Sequence, residues 1–478
     1  MIADVDPTES DTAAHYDVIV VGAGPAGIFA ALELVKLGVG RVLVLEKGRR
    51  IEERVCPAHQ RGCIHCPTCA ITTGWGGAGA FSDGKLTLSA EVGGWLGDYV
   101  GSERLAGLLR YADGLWLEYG ATREVHGPDA ATAERLVAEA RQAGMRLVPM
   151  HVRHLGTERS PAVLSAMRAS LEAAGVTIRT GTAVSSLEVV DGAVSGVRLA
   201  DGTFVAADAV IVAPGREGAQ WLTSQARALG IELANNAVDI GVRVECSAEV
   251  MERLTEPLYE AKLLYRTPTF GDDVRTFCMN PYGEVTIESY GDVVTVNGHS
   301  FADKRTAATN FAVLVSQRFT EPFHEPIVYG ESIARLANLL GDGILVQRLG
   351  DLAAGRRSTP QRIAEGRVRP TMPTAAPGDL SSVLPYRHLT GILEFLTAMD
   401  ALVPGVAGPE TLLYGVEVKF YSSRLTLDGD LMTPVSGLFA AGDGAGVTRG
   451  LMQSSASGVV AARAAASRAA SVAAPDGA

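Results

Sequence analysis

Four of the six cysteines lie in one segment: Cys56, Cys63, Cys66 and Cys69. Thiols this close together bind metals or exchange electrons. The core Cys63-x-x-Cys66-x-x-Cys69 matches the run that wraps three corners of a [4Fe-4S] cluster, with Cys56 as fourth thiolate. A Zn site would use four thiolates, or His65 or His59 in place of one, although two short spacings in series are cramped for a zinc ribbon. Cys66-Pro-Thr-Cys69 also reads as a redox disulfide, because a C-x-x-C arrangement lowers a thiol pKa. Buried, inert cysteines are the fourth reading. Cys246 and Cys278 fall on predicted strands and read as core residues.

The elements upstream say what this segment hangs from. Asp17-Val-Ile-Val-Val-Gly-Ala-Gly-Pro-Ala-Gly27 is a buried strand turning sharply into a helix. Gly22 makes the tight turn, Gly24 admits a pyrophosphate to the backbone, and Gly27 lets helix and strand pack closely. The helix start, with Pro25 and Ala26, points free N–H groups at the phosphates. A second strand, Val42-Leu-Val-Leu45, ends in Glu46 and Lys47; Glu46 stands about 20 residues beyond the glycines, where a carboxylate binds an adenosine ribose. Together these features predict a bound dinucleotide. The cysteine segment then runs into Gly74-Trp-Gly-Gly-Ala-Gly-Ala-Phe-Ser-Asp-Gly-Lys85, whose glycines suit close approach to a large planar ligand. Gly77, Ser82, Asp83 and Lys85 are its contact candidates.

Near the other end, Gly437-Leu-Phe-Ala-Ala-Gly-Asp-Gly-Ala-Gly446 is a strand entering a loop at Gly442-Asp443, and a helix of small residues follows. In FAD enzymes of the glutathione-reductase and aromatic-hydroxylase type, a Gly-Asp so placed binds the ribityl chain and second phosphate. The following helix aims its N-terminus at the flavin pyrimidine, where its positive end stabilises the reduced ring. The cofactor expected is therefore FAD. Arg449 and Gln453 lie beside that loop, and Ala213 and Gly215 end a further apolar strand, Ala209–Gly215.

The chain resembles the bacterial FAD-dependent dehydrogenase family, a branch of the two-dinucleotide-binding-domain flavoproteins. The resemblance rests on Gly22–Gly27, Cys56–Lys85, Arg275-Thr-Phe-Cys-Met279, Asn297-Gly-His-Ser300 and Tyr414–Gln453, and covers nearly the whole chain. It implies an α/β fold: a discontinuous Rossmann-like FAD-binding lobe with an inserted, largely antiparallel β substrate lobe. It also implies that Val184 meets the adenine. Where such sequences carry a second cysteine after Phe-Cys-Met, this chain has Asn280.

A chain of 478 residues suits two lobes. The expected organisation is a disordered tail over 1–15, the FAD domain over 16–240, the substrate domain over 241–370 and the FAD return over 371–478. The first part holds the cysteine loop at 51–90 and a helical segment at 100–145. Strands are predicted at 176–179, 183–190, 194–199 and 203–206, with Asp191-Gly192 and Asp201-Gly202 as hairpin turns. The Pro-rich stretch 369–377 reads as the return linker. A net charge of −12 argues against nucleic acid and anionic membranes. No apolar stretch reaches the roughly 20 residues that span a bilayer, and the acidic N-terminus is no targeting peptide, so a cytoplasmic protein is expected.

With flavin performing the redox step, the chain must supply a proton handler and a substrate clamp. His299, at a turn after a strand, is the first candidate for general acid and base. Lys85, near the flavin, would raise its potential. Tyr414, beside Lys419 and Tyr421, is a candidate substrate contact. No Ser-His-Asp, P-loop or HExxH signature occurs, nor a second GxGxxG for NAD(P)H. The expected function is an FAD-dependent oxidoreductase moving two electrons between a small organic substrate and FAD, with the cysteines as a relay to an electron carrier such as NAD(P)H or ferredoxin. Alternatives are a flavin monooxygenase using NAD(P)H and oxygen, and an electron-transfer flavoprotein serving a protein partner.

Overall fold

A computed structural model describes residues 15–56, 66–81, 84–155, 159–234, 236–290, 293–299, 305–317, 323, 325–419 and 422–473. The chain divides into two compact units. One comprises Met1–Arg123, Leu155–Ala234 and Ser422–Ala478, and the other Glu124–His154 and Asn235–Tyr421. Of the tail expected over 1–15, only His15 is described, and it opens the first strand.

The first unit is built on a seven-stranded sheet among the described residues. His15–Val21 lies at its centre, parallel to Val42–Glu46 on one side and to Phe204–Val212 on the other. Such strands are buried on both faces, which explains their unbroken apolar sequence. Leu438–Ala440 joins parallel to the end of Phe204–Val212. The two strands expected around Asp208 are one. Its first residues pair antiparallel with Ala193–Leu199 and its last run parallel to His15–Val21. Asp208 is accommodated mid-strand because His15 Nε2 lies 2.9 Å from its carboxylate. Helices Pro25–Lys36 and Leu451–Ala473 cover one region of this sheet and pack on each other. A Cβ at Gly458 would lie 2.0 Å from the Ala26 carbonyl oxygen, so the small residues of the final helix permit that contact.

Among the described residues, the second unit holds an eight-stranded sheet. In order, its strands are Ala376–Pro377, Leu345–Arg348, Leu412–Lys419, Val238–Ser247, Ala308–Gln317, Asp273–Asn280, Lys262–Arg266 and Arg146–Val148. Every pairing is antiparallel except that of Leu345–Arg348 with Ala376–Pro377. One face, with Ile240, Val242, Val274, Val313 and Val418, joins an apolar core with helices that include Tyr386–Leu402. A separate hairpin pairs Glu284–Tyr290 with Val293–His299.

The boundaries differ from those expected. The return to the first unit comes at 422 rather than 371, because Leu412–Lys419 is buried throughout and bonds to Val238–Ser247. The stretch 369–377 is no linker: Ala376 and Pro377 extend the second sheet. The helical segment predicted over 100–145 is split, with Ser102–Glu118 in the first unit and Ala130–Gln142 in the second. Among the described residues, no helix is long and apolar enough to cross a membrane.

Candidate functional site

In the first unit, three neighbouring parallel strands end together, at Val21, Val212 and Ala440. The carboxyl edge of a parallel sheet is where α/β proteins hold ligands. Gly22 turns the chain there with φ +100°, and a Cβ on it would lie 2.3 Å from the Ala213 carbonyl oxygen. A Cβ on Gly27 would meet the Gly22 oxygen at 1.8 Å, which is the close helix–strand packing expected of the third glycine. Gly24 differs: a Cβ there meets nothing nearer than Gly77 Cα at 4.0 Å. It opens onto space rather than onto protein.

Gly24 is the N-cap of Pro25–Lys36, yet no side chain caps this helix and no acidic residue stands in its first turn. Its bare N–H groups and positive end are suited to an anion. Glu46 is buried, and its carboxylate accepts from Ala23 N and Gly48 N, both at 2.8 Å. It thus fastens the glycine turn to the end of the second strand. At the third strand end, Gly442 has φ +78° and donates to the Ser457 hydroxyl. The Asp443 carboxylate accepts from the Thr448 hydroxyl at 2.7 Å and pairs with Arg216 at 3.1 Å. A Cβ on Gly444 would lie 2.4 Å from the Gly215 oxygen, so this loop and Gly215 are in contact. The open Gly24 position, the uncapped helix and the convergence of Gly22, Ala213–Gly215 and Gly442–Asp443 fit a bound dinucleotide.

Other predicted contacts are placed as follows. Val184 opens a strand of the same sheet. Lys47 pairs with Glu217 at the surface. The Arg449 guanidinium stacks 3.7 Å from the centre of the Trp95 ring. Gln453 is buried; it donates to the Val92 oxygen and accepts from Leu96 N, tying 92–96 to the final helix. Lys85 begins the short strand Lys85–Thr87. Ser82, Asp83 and Cys63 lie outside the described residues.

Cys56, Cys66 and Cys69 are free and partly exposed. A residue that the sequence did not flag organises their segment. Arg54 is 4% exposed and donates to three carbonyls: Ala70 at 2.9 Å, Ile71 at 2.8 Å and Trp75 at 2.7 Å. Burial opposes ionisation of the Cys69 thiol. Hydrogen bonds from Thr72 and Ile71 and the charge of Arg54 outweigh it and lower its pKa. The same Arg54 thereby links Cys69 to the glycine segment. A Cβ on Gly77 of that segment would sit 3.1 Å from Gly24 Cα.

In the second unit, His299 is exposed at the end of its strand, opposite Glu284. Tyr414 is fully buried and its hydroxyl donates to Glu245, so it packs in the interior instead of meeting substrate. Asn280, in the place of the expected cysteine, is also fully buried; its amide donates to the carbonyl of Cys278 and to Asn310 Oδ1. Beside it lies a charged chain that the sequence reading missed. Arg243 clasps Glu417, Glu417 lies 3.3 Å from Lys419, and Lys419 donates to Glu288 at 2.9 Å. The available signal was charge on otherwise apolar strands, at Arg243 in Gly-Val-Arg-Val and at Glu417 in Val-Glu-Val.

A family model described as FAD dependent oxidoreductase matches residues 17–309. A second, FAD-dependent protein, C-terminal domain-like, matches residues 237–420, nearly coincident with the longer segment of the second unit. An uncharacterised protein of Clostridium beijerinckii is 25% identical over 468 residues, covering 92% of this chain and 79% of that protein. Among solved structures, the 3-ketosteroid-Δ4-(5α)-dehydrogenase of Rhodococcus jostii RHA1 is 15% identical, covers 97% of this chain and 100% of that one, and superposes with a TM-score of 0.46. The fumarate reductase subunit FrdA of E. coli is 14% identical, with coverage of 96% and 71% and a TM-score of 0.41. The first of these models matches more than half of the chain, and the chain belongs to the FAD-dependent oxidoreductase family.

Proposed function

We propose that this flavoprotein is a dehydrogenase, or in reverse a reductase, that moves two electrons between a small organic substrate and FAD. The observation that carries the reading is the open, uncapped helix start at Gly24, set where three strand ends meet. Bound FAD would supply a ring that takes up or returns a hydride. Gly22, Gly24 and the first turn of Pro25–Lys36 would hold its phosphates, and Glu46 its ribose while bracing the turn. Gly442 and Asp443 would hold the ribityl side. His299 is the proposed proton handler, since it is exposed at the end of its strand and an imidazole can both donate and accept a proton. The cofactor assignment is tested by the visible spectrum and flavin content of the purified protein. Anaerobic reduction by candidate substrates tests the chemistry. NAD(P)H oxidation coupled to oxygen uptake and a hydroxylated product would instead indicate a monooxygenase.

A second reading concerns the cysteines, and Arg54 favours it. Because one guanidinium fixes both the Cys69 turn and the start of the glycine segment, the thiols form part of the electron path to an external carrier such as ferredoxin or NAD(P)H. Iron and sulfide analysis after anaerobic purification separates a [4Fe-4S] cluster from a dithiol. Iron and labile sulfide with broad absorbance near ~400 nm mark the cluster. Two titratable thiols without iron mark the Cys66–Cys69 pair, and zinc without redox change removes the relay.

A further inference from the structure

On the ligand edge of the first unit, Val42–Glu46 and Phe204–Val212 flank His15–Val21, and Leu438–Ala440 pairs with the end of Phe204–Val212. The turn after Phe204–Val212 carries two adjacent charges of opposite sign, Arg216 and Glu217. Each finds its opposite at a different strand end. Glu217 pairs with Lys47, just past Val42–Glu46. Arg216 pairs at 3.1 Å with Asp443, just past Leu438–Ala440. Val21 pairs with Leu45, so Lys47 stands level with the turn at Gly22–Gly24. Neighbouring strands lie about 5 Å apart, so Lys47 and Glu217 follow strands separated by about 10 Å. Their side chains bridge the gap that His15–Val21 occupies, at the level of its glycine turn. Lys47, Glu217, Arg216 and Asp443 thus form a row of alternating sign along this edge.

The backbone on both sides of the bridge is pinned. The carbonyls of Glu46 and Gly48 accept from Thr182 N at 2.9 Å and Gly181 N at 2.8 Å, which fixes Lys47 between them. Ala213 N donates to the Val21 carbonyl at 2.7 Å, and Gly218 N donates to that of Pro214 at 3.2 Å. Gly215 turns the chain between them with φ +64°. This turn lies against the glycine turn: a Cβ on Gly22 would come within 3.3 Å of Pro214 Cα. The helix that follows, Ala219–Ala228, is fastened to the strand Val184–Val190. Trp221 Nε1 donates to the Ser185 carbonyl at 2.9 Å, and Leu187 N donates to Gln225 Oε1 at 3.0 Å. A fixed frame therefore carries four long or charged side chains. Lys47 and Glu217 are each 38% exposed, so water and salt reach their pair and it opens at little cost.

We propose, resting on the FAD reading above, that Arg216 and Glu217 form a clasp that closes over the bound cofactor and slows its release. The residues assigned to the cofactor lie along the same edge. Glu46 adjoins Lys47, Gly22 and Gly24 turn on the strand that the bridge spans, and Gly442 and Asp443 stand at the far end. A ligand held there has to pass the bridged side chains on leaving. Arg216 and Glu217 are positioning residues, acting through Asp443 and Lys47.

The test is FAD release from the flavin-loaded, full-length protein, read as the rise in flavin fluorescence after dilution. Glu217→Gln and Lys47→Met should each release FAD about two- to fivefold faster, the size of one exposed ion pair. The double variant should be no faster than the faster single variant, because the two changes break the same pair. Added salt screens exposed charges, so it should speed release from the parent protein more than from Glu217→Gln. Melting temperature is recorded for each variant, so a folding defect is seen separately; if Lys47→Met does not fold, the salt comparison decides. Release that is unchanged or slower in Glu217→Gln, equal salt dependence in the two proteins, or single effects that simply add would overturn the clasp while leaving the flavin assignment standing. Protein that holds no flavin overturns the reading beneath it.

Discussion

Arg243 and Glu417 meet in a two-point pair across neighbouring strands, Nε to Oε2 at 2.7 Å and Nη2 to Oε1 at 2.8 Å, with both side chains at 0% exposure. A register shift between Gly241 and Arg243 sets Gly241, not Arg243, opposite Glu417, so the guanidinium reaches along the strand to the carboxylate. Burial works to lower the Arg243 pKa, but the Glu417 charge and hydrogen bonds hold it above the ordinary value. The remaining donors are taken by the Cys278 carbonyl, Asn310 and Asn297. Fully satisfied pairs of this kind specify a local arrangement more than they add stability.

Removing one partner is therefore costly and removing both is not. Glu417→Ala leaves a buried, uncompensated cation and should cost about 3–5 kcal/mol in urea unfolding. The double variant Arg243→Met/Glu417→Leu should recover most of that loss. A double variant no more stable than Glu417→Ala would refute the pairing account.

Gly24 and Gly27 should respond oppositely to the same change. Gly27→Ala forces a Cβ to within 1.8 Å of a carbonyl oxygen, so the helix must leave the strand and the fold should weaken measurably on melting. In Gly24→Val the Cβ meets no protein atom nearer than 4.0 Å. It should fold with far-UV circular dichroism unchanged, yet emerge with little flavin because the side chain occupies phosphate space. Full flavin content in folded Gly24→Val would remove the phosphate role of that helix start.

Tyr414 was a candidate for substrate contact, and its burial predicts a different phenotype. Tyr414→Phe removes the hydroxyl that donates to Glu245, a carboxylate whose pKa burial has already raised. The expected result is a stability loss of about 1–3 kcal/mol, from a buried acceptor losing one partner, with turnover of intact protein unchanged. A large drop in kcat at unaltered stability would restore Tyr414 to the site.

The sequence was most informative where chemistry depends on local spacing. The turn at Gly22–Gly27, Glu46 and the loop at Gly442–Asp443 each need a particular residue at a particular backbone position, so their patterns are visible without the fold. Arg54, Arg243 and Glu417 carry no such pattern, since their roles depend on carbonyls and strands brought together by folding. The boundary near 371 failed for a related reason. Prolines at 370, 373 and 377 suggested a linker, but whether Leu412–Lys419 belonged to one sheet or the other depended on a partner strand more than 160 residues earlier. Alternation gave the strand without its neighbour.

His388 supplies the pH dependence. It lies on Tyr386–Leu402 at 1% exposure, and neither ring nitrogen has a hydrogen-bond partner. Burial drives its pKa down from 6.5 to about 4, with Arg387 adding to the fall and Asp272 opposing it. Above pH 6.5 the ring is neutral whether the chain is folded or unfolded, and this group makes stability independent of pH. Between 6.5 and about 4 the unfolded chain binds a proton that the folded chain refuses. Stability should then fall by up to about 1.4 kcal/mol per pH unit from this residue alone. His388→Leu removes both the titration and the unsatisfied nitrogens. It should raise stability at pH 7.5 by about 1–3 kcal/mol, and by more at pH 5. Urea midpoints for the two proteins at these two pH values measure the difference. An advantage of the leucine variant that does not widen on acidification would mean that His388 is not the group refusing the proton.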